Sequence, residues 1–262
     1  MRIKFVGHIV ATLIFMLHVI SCAQTKVMED EAQLLSPSIY YKPTVHFDSN
    51  KCTQDQMKEM LTPEGKVLTT ICLVDFNRCL IEGSCFVDKA GSVRSFNYHS
   101  RIKDIPRFVE VDLRKCPFGY GVSSTCLDPY YTVAADLSLY KVGDVIYVPR
   151  LVGAPMPDGS THDGFLVIRD RGARILGEGR FDFFTGFYNH AARDNIIARL
   201  GFGDPYARFD FRLATEEEAK ITRERRGYPG LKNVVVVRAL DRISRLSRTS
   251  PEAAEVIEKY EE

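Results

Sequence analysis

The 262-residue chain has no tryptophan, which removes one common residue for stacking against sugar rings, although 16 Phe and 12 Tyr remain. Net charge is nearly absent as well. Lys and Arg total 35 against 34 Asp and Glu, and taking Arg2 and Lys4 away with the leader described below moves the balance from +1 to −1. A near-neutral chain has no basic footprint for nucleic acid or for polybasic membrane binding. No Cys-x-x-Cys pair or His-x-x-x-His accompanies the cysteines, which argues against a zinc site, and neither metal nor cofactor is expected. Internal repeats and low-complexity tracts are missing too, so no repeat architecture is expected.

The 45% apolar content is enough for one core of ordinary size, and one domain is expected. Export chemistry stands at the beginning. Met1-Arg2-Ile3-Lys4 precedes an apolar run from Phe5 to Ile20, the pattern of a secretory signal and short for a spanning helix. Val19-Ile20-Ser21-Cys22 looks like a bacterial lipobox, in which Cys22 is acylated and becomes the mature N-terminus. Ala23 lacks the acidity associated with inner-membrane retention, so that likeness implies an outer-membrane lipoprotein facing the periplasm. Cleavage after Ala23 at a Ser-x-Ala site is the rival and would leave a soluble periplasmic or secreted protein. With Cys22 lipidated or discarded, Cys52, Cys72, Cys79, Cys85, Cys116 and Cys126 remain. In an oxidising compartment they suggest up to three disulfides of roughly 2–4 kcal/mol each, with pairing that the sequence leaves open.

Residues 23–66 are polar, with Pro37, Pro43 and Pro63, and read as a tether with a short helix around Thr53 to Leu61. Val67 to Val74 is the first strong strand signal, and Ser92 to Tyr98 alternates as a half-exposed strand does. An apolar-charged stretch around Phe108 to Val111 and a loop with Cys116 and Cys126 follow. Val133 to Ala135 and Asp144 to Val148 read as strands. Farther on, Asn189 to Leu200 reads as a helix, and Thr215-Glu216-Glu217-Glu218 has capping-box spacing and opens another. Val234 to Val237 reads as a last, central strand, and Ser250-Pro251-Glu252 starts a terminal helix.

The chemistry concentrates between Asp163 and Phe187, where Asp163, Asp170 and Asp182 stand at the edges of two apolar runs separated by glycines. Phe165 to Ile168 is a continuous apolar run that suits a strand buried on both faces, with Asp170 at its exit. In Arg180-Phe181-Asp182-Phe183-Phe184 the period of two puts Phe181 and Phe183 on one face and Asp182 and Phe184 on the other. A carboxyl beside aromatics is desolvated, and its pKa rises toward that of a general acid at neutral pH. The bland alternative is that Asp182 caps a turn or pairs with Arg180 or Arg174.

The segments Asp170-Arg171-Gly172-Ala173-Arg174-Ile175-Leu176-Gly177 and Phe181-Asp182-Phe183-Phe184-Thr185-Gly186 follow the order D-x-G-G-A-I-K-G and h-D-h-Y-x-G. Upstream, Thr132 to Asp136 and Lys141 to Pro149 match a VAAD segment followed by one of the form VYVP. Over residues 132–188 the chain thus resembles the three-aspartate domain of the membrane-bound lytic transglycosylase A family. That resemblance implies a mainly β fold with α additions: a six-stranded double-psi β-barrel with flanking helices. With the strand signals it sets expected boundaries at 1–22 for the leader, 23–66 for the tether, 67–248 for the barrel with a Cys-rich insertion, and 249–262 for the terminal helix. The family's large second domain finds no segment long enough to match it, so a disulfide-pinned insertion is the most that could face the barrel.

The resemblance also implies chemistry. It points to cleavage of the β-1,4 bond between N-acetylmuramic acid and N-acetylglucosamine in peptidoglycan, with Asp182 as acid and then base and Asp170 in support. Asp163 matches no firm family position and reads equally as a turn residue where its strand begins. Arg171 and Arg180 could contact substrate carboxylates, and Phe184 and Tyr188 could line a sugar subsite; solvated charge and core packing are their blander uses. The sequence departs from the family at Ala173, Leu176 and Glu178-Gly179, which bears on where Asp182 points. A water-using glycosidase, a non-catalytic expansin-like glycan binder and a disulfide-rich scaffold for protein partners are the other readings.

Overall fold

A computed structural model of the chain describes residues 33–48 and 50–248. The leader, Cys22 and the helix expected from Ser250 lie outside the described residues. Alternation governs the first strand, β1 (Gln33–Tyr40), which sends Leu35 and Ile39 into one apolar cluster and Ser38 and Tyr40 to the opposite face. The chain then builds a separate sheet from β2 (Thr44–His46), β3 (Met57–Leu61) and β4 (Val67–Cys72), followed by α1 (Leu73–Ile81), β5 (Ser84–Lys89), β6 (Ser92–Ile102) and β7 (Ile105–Glu110). It returns through β8 (Thr132–Ala134), β9 (Val145–Tyr147), β10 (Phe165–Asp170), β11 (Arg180–Phe184) and β12 (Phe209–Leu213), and continues into α2 (Glu216–Arg226) and α3 (Asn233–Arg248).

The expected barrel is present. Six strands close in the order β1-β11-β8-β10-β9-β12, sealed by the antiparallel pairing of β12 with β1. Leu35, Val133, Ile146, Leu166, Ile168, Phe181, Phe183 and Phe211 fill it. Closure leaves no exposed edge and lets β10 be apolar on both faces. The second sheet runs β2-β5-β6-β7-β3-β4 and packs Met60, Ile71, Val87, Phe96 and Phe108 under Phe76 of α1. Phe86 of this sheet, Phe184 of the barrel, Phe118 between them, and Ala239 and Ile243 of α3 form a shared cluster that joins the two. Lys42, fully buried at the crossing, donates to Ser95 Oγ (2.8 Å) and the Phe118 carbonyl (3.2 Å).

Several expectations are corrected here. Residues 33–66 are not a tether, for they supply β1 to the barrel and β2 and β3 to the second sheet. Pro37 concealed this, yet it is compatible with a barrel strand. Its register partner is Phe181 of β11, whereas the pairing with β12 covers only Gln33 to Leu35, so its missing N–H costs no ladder bond on that side. The segment from Val67 to Glu110 belongs to the second sheet and not to the barrel, so a second lobe faces the barrel after all. Around Thr53 to Leu61 there is a 3-10 turn, Gln54–Gln56, followed by β3.

Asn189 to Leu200 is mostly loop, ending in a π-helical turn, Ala198–Phe202, because Asn195 turns its side chain back onto the carbonyls of Tyr188 and Asn189. Val234 to Val237 begins α3. Four valines alone fit strand or helix, but the buried Ala239 and Ile243 continue them at a spacing of four, the helical period. The capping box at Thr215 opens α2 as expected: its hydroxyl accepts from Glu218 N, and Glu218 accepts from Thr215 N. The three disulfides pair Cys52 with Cys72, Cys79 with Cys85 and Cys116 with Cys126.

Candidate active site

Four adjacent barrel strands bring the site together. Ser38 of β1 is in register with Asp182 of β11, Asp182 with Ala134 of β8, and Ala134 with Asp170 of β10. The row Ser38, Asp182, Ala134, Asp170 lies on the outer wall, since the alternate residues Phe181, Phe183 and Val133 point into the barrel. The two aspartates stand on either side of β8, two interstrand spacings or roughly 9–10 Å apart at the backbone. Between them, Ala134 contributes only a methyl group.

Asp170 reaches this row through a β-bulge. Ile168 pairs with Val133 and points inward, so plain alternation would send Asp170 inward too; the register shifts between Ile168 and Asp170, and the extra residue, Arg169, turns Asp170 out. Arg169 is itself fully buried and donates to the carbonyls of Cys126, Pro229 and Gly230. The loop joining the aspartates is tied down as well. Gly177 N donates to Asp136 Oδ2 (2.8 Å) and Gly179 N to the Tyr140 hydroxyl (3.1 Å), so Asp136 in the VAAD stretch serves as an anchor. Gly179 has φ +67°, and a Cβ there would meet the Leu34 carbonyl at 2.5 Å. Ala173 is not among the residues with positive φ, which explains why alanine is accepted where the related pattern has glycine.

The two carboxylates differ in how their oxygens are used. Asp170 accepts at both: Oδ1 from Arg171 N (2.8 Å) and Oδ2 from the Tyr40 hydroxyl (3.1 Å). Asp182 accepts from the Ser38 hydroxyl at Oδ1 (2.5 Å), and its Oδ2 has no hydrogen bond among the described residues. Burial pushes the Asp170 carboxyl up to about 6, against the two hydrogen bonds, with the Asp182 charge adding to the rise. Burial also raises Asp182, opposed by the Ser38 hydroxyl and the Arg180 charge. Among the described residues, neither is locked in an ion pair.

A third acid comes from the second lobe. Glu82 caps the C-terminus of α1 beside the Cys79–Cys85 disulfide and accepts from Tyr41 N (3.3 Å). Burial pushes it up to about 7, with the nearby Asp182 charge as a further cause. Sequence reasoning missed Ser38, Tyr40 and Glu82. For the first two a signal existed in the strict alternation of β1; for Glu82 there was none, because only the folding of one lobe against the other brings it near Asp182.

Other expected site residues are elsewhere. Asp163 is ion-paired with Arg225 of α2 and accepts from Phe165 N (3.2 Å), so it is a turn residue where β10 begins. Phe184 is fully buried against Tyr40 and Phe118 and can touch no sugar. Tyr188 faces a different cavity, beneath α3. Arg180 donates to the carbonyls of Ser36 and Phe181 and reaches Asp182 through its charge, while Arg171 is exposed next to Asp170. His162 is buried, accepts from Gly164 N at Nδ1 and stacks on Tyr131, a structural use. Among the described residues, no cluster of three His, Cys, Asp or Glu side chains could hold a metal ion.

Two tests follow from these contacts. Tyr40→Phe removes a hydrogen bond that favours the Asp170 carboxylate, so the Asp170 pKa should rise further in a carboxyl-carbon NMR titration; an unchanged or lower value would show that the contact does not form. Glu82→Gln bears on stability. A carboxyl whose folded pKa is raised binds its proton more tightly in the native state, so native stability is lost as pH climbs from the unfolded value near 4.5 to about 7. Above pH 7 the glutamine variant should therefore be more stable than the wild type by about 1–2 kcal/mol after solvent screening, with the gain vanishing near pH 4. Thermal unfolding across that range measures it, and a gain independent of pH would contradict the assignment.

The fold and site together define a closed β-barrel that presents desolvated aspartates on its outer wall. Residues 131–195, which carry both aspartates, match the family model of the 3D domain. The likeness read from the Asp170 and Asp182 motifs is thereby borne out. No curated protein matches the chain. Similar solved structures include E. coli MltA with bound chitohexaose, 14% identical with a TM-score of 0.46, over 70% of this chain and 72% of that one. The membrane-bound lytic murein transglycosylase of Agrobacterium tumefaciens is 12% identical, TM-score 0.44, over 73% and 75%. MltA from Neisseria gonorrhoeae is 12% identical, TM-score 0.44, over 70% and 71%.

Proposed function

We propose that the protein is a peptidoglycan lytic transglycosylase that cleaves between N-acetylmuramic acid and N-acetylglucosamine and releases a 1,6-anhydro end. The observation that carries this reading is the asymmetry of the two aspartates within a segment that matches the 3D domain: one oxygen of Asp182 is uncommitted, whereas both oxygens of Asp170 are engaged. Asp182, whose carboxyl holds its proton more tightly because it is desolvated, gives that proton to the glycosidic oxygen as the bond to C1 breaks. The same carboxylate then takes the proton of the muramoyl 6-hydroxyl as that oxygen attacks C1, so the proton returns and no water is consumed. Asp170, held by Tyr40 and Arg171 N, supplies negative charge as positive charge develops at C1. The Ser38 hydroxyl, by donating to the carboxylate, favours the charged form that Asp182 reaches after giving up its proton. The leader suggests that the enzyme works in the bacterial envelope, either lipid-anchored at Cys22 or soluble.

Mass spectrometry of muropeptides released from sacculi by the purified protein tests the proposal. Anhydro ends support it. Glu82 favours one alternative, since a second protonatable carboxyl near Asp182 is what a water-using glycosidase needs, and reducing ends would establish that reading instead. Sacculus binding without products would point to an expansin-like binder.

A further inference from the structure

A cavity of about 600 Å³ lies under α3, walled by apolar side chains such as Met156, Pro157, Val235 and Ala239. None of Asp170, Asp182 and Glu82 lines it. Phe118 touches both Phe184, which is two positions along β11 from Asp182, and Phe187, which lines the cavity, so an aromatic wall stands between the two places. Its volume is within the range of small-ligand pockets.

Two groups in it lack the partners that ordinary packing would give them. Tyr130 is 6% exposed, yet its hydroxyl has no hydrogen-bond partner among the described residues. Its backbone has φ +68°, a region disfavoured for a bulky side chain, and is held there by Tyr130 N donating to the Phe184 carbonyl (2.7 Å) and by His162 Nε2 at the Tyr130 carbonyl (3.0 Å). A phenylalanine would fill the same space without stranding an oxygen. Arg242 is the second group. Of the other arginines lining the cavity, Arg226 pairs with Asp128, Arg238 with Asp158 and Arg245 with Asp241. No carboxylate pairs with Arg242 among the described residues; it donates to the Tyr188 hydroxyl and lies over the Phe187 and Tyr188 rings at 4.9 and 4.4 Å. Among the described residues no other hydrogen bond uses its five N–H donors.

We propose that this cavity is a second ligand site, separate from the aspartate row, and takes a carboxylate carried on a small apolar body, gripped by Arg242 and the Tyr130 hydroxyl. A planar guanidinium and a phenol donor suit the two oxygens of one carboxylate. Asp128, Asp158 and Asp241 offset the charges of Arg226, Arg238 and Arg245, so the cavity lining carries one net positive charge, which matches a monoanion and leaves the second charge of a phosphate monoester uncompensated. A peptide C-terminus and a lactyl ether on a sugar share this chemistry. That these two are natural sources rests on the wall-glycan reading; the carboxylate preference does not.

Isothermal titration with N-acetyl-D-alanyl-D-alanine, N-acetylmuramic acid and benzoate, each beside its amide, tests the site on the full chain. At least one acid should bind and its amide should bind about tenfold or more weakly, as expected for loss of a charge-assisted hydrogen bond. Whichever acid binds best identifies the source. Arg242→Gln should weaken that acid by about tenfold to a hundredfold and Tyr130→Phe by about tenfold, without a drop in melting temperature for the latter because its hydroxyl supports nothing. Asp182→Asn should leave the binding unchanged, so failure of the transglycosylase reading and failure of this one register in different experiments. Absence of binding by every acid at roughly 1 mM, or equal binding of acid and amide, overturns the proposal.

Discussion

Asp182→Asn should abolish anhydro-muropeptide release, a loss of about 10²–10⁴-fold in turnover, which is what a positioned acid and base contributes. The substitution is well placed to separate chemistry from folding. An asparagine oxygen can still accept from the Ser38 hydroxyl, and the alternate residues Phe181 and Phe183 keep β11 in the barrel core. Removing a desolvated ionisable group should leave the melting temperature equal or slightly higher at neutral pH, because the raised carboxyl pKa marks a charge that the fold disfavours. In the wild type, turnover should decline on the alkaline side as the raised Asp182 pKa is passed and the acid loses its proton; in the asparagine variant that limb should be missing because no proton is carried at any pH. Anhydro ends persisting at wild-type rate in a folded variant would remove Asp182 from the mechanism. Persistence of reducing ends alone would instead shift attention to Glu82.

Much of the barrel was legible because its signals are local. Phe165 to Ile168 and Arg180 to Phe184 each carry their own pattern, and both became strands with the faces that alternation assigns. What escaped depends on partners far away in the chain. Ser38 contacts Asp182 across a sequence separation of 144, and Tyr40 contacts Asp170 across 130. Their strand lies in a stretch whose prolines imitate a linker, although its inward Leu35 and Ile39 and outward Ser38 and Tyr40 alternate regularly. The strands beginning at Val67 and Ser92 are legible but read as part of the barrel, because a local pattern does not say which sheet a strand joins. Disulfide pairing was unreadable in principle, since six cysteines allow fifteen pairings. The bulge at Arg169 also left no mark: an apolar run followed by Arg-Asp looks the same with or without an extra residue.

That bulge makes Arg169 the residue whose loss should be felt most in both stability and alignment. Arg169→Met keeps an unbranched side chain of similar length but takes the side-chain donor from the carbonyls of Cys126 and Gly230, while the Pro229 carbonyl keeps its bond from Cys126 N. Each stranded carbonyl costs about 1–3 kcal/mol, while part is recovered because Nε and Nη2 of the buried guanidinium have no hydrogen-bond partner among the described residues. A net destabilisation of roughly 2–4 kcal/mol is expected in denaturant unfolding. The same arginine clamps the bulge, whose carbonyl also accepts from the Thr125 hydroxyl at 2.9 Å. With one clamp gone, the strand can relax toward plain alternation, which turns Asp170 away from the Tyr40 hydroxyl. Turnover under conditions where the variant is fully folded should therefore fall while the Asp182 pH limb is retained, the signature of lost support and not of a lost proton carrier. A fully stable variant with wild-type turnover would show that neither the bulge nor Asp170 is positioned by this side chain. Full turnover in a destabilised one would confine Arg169 to holding the α2–α3 connection.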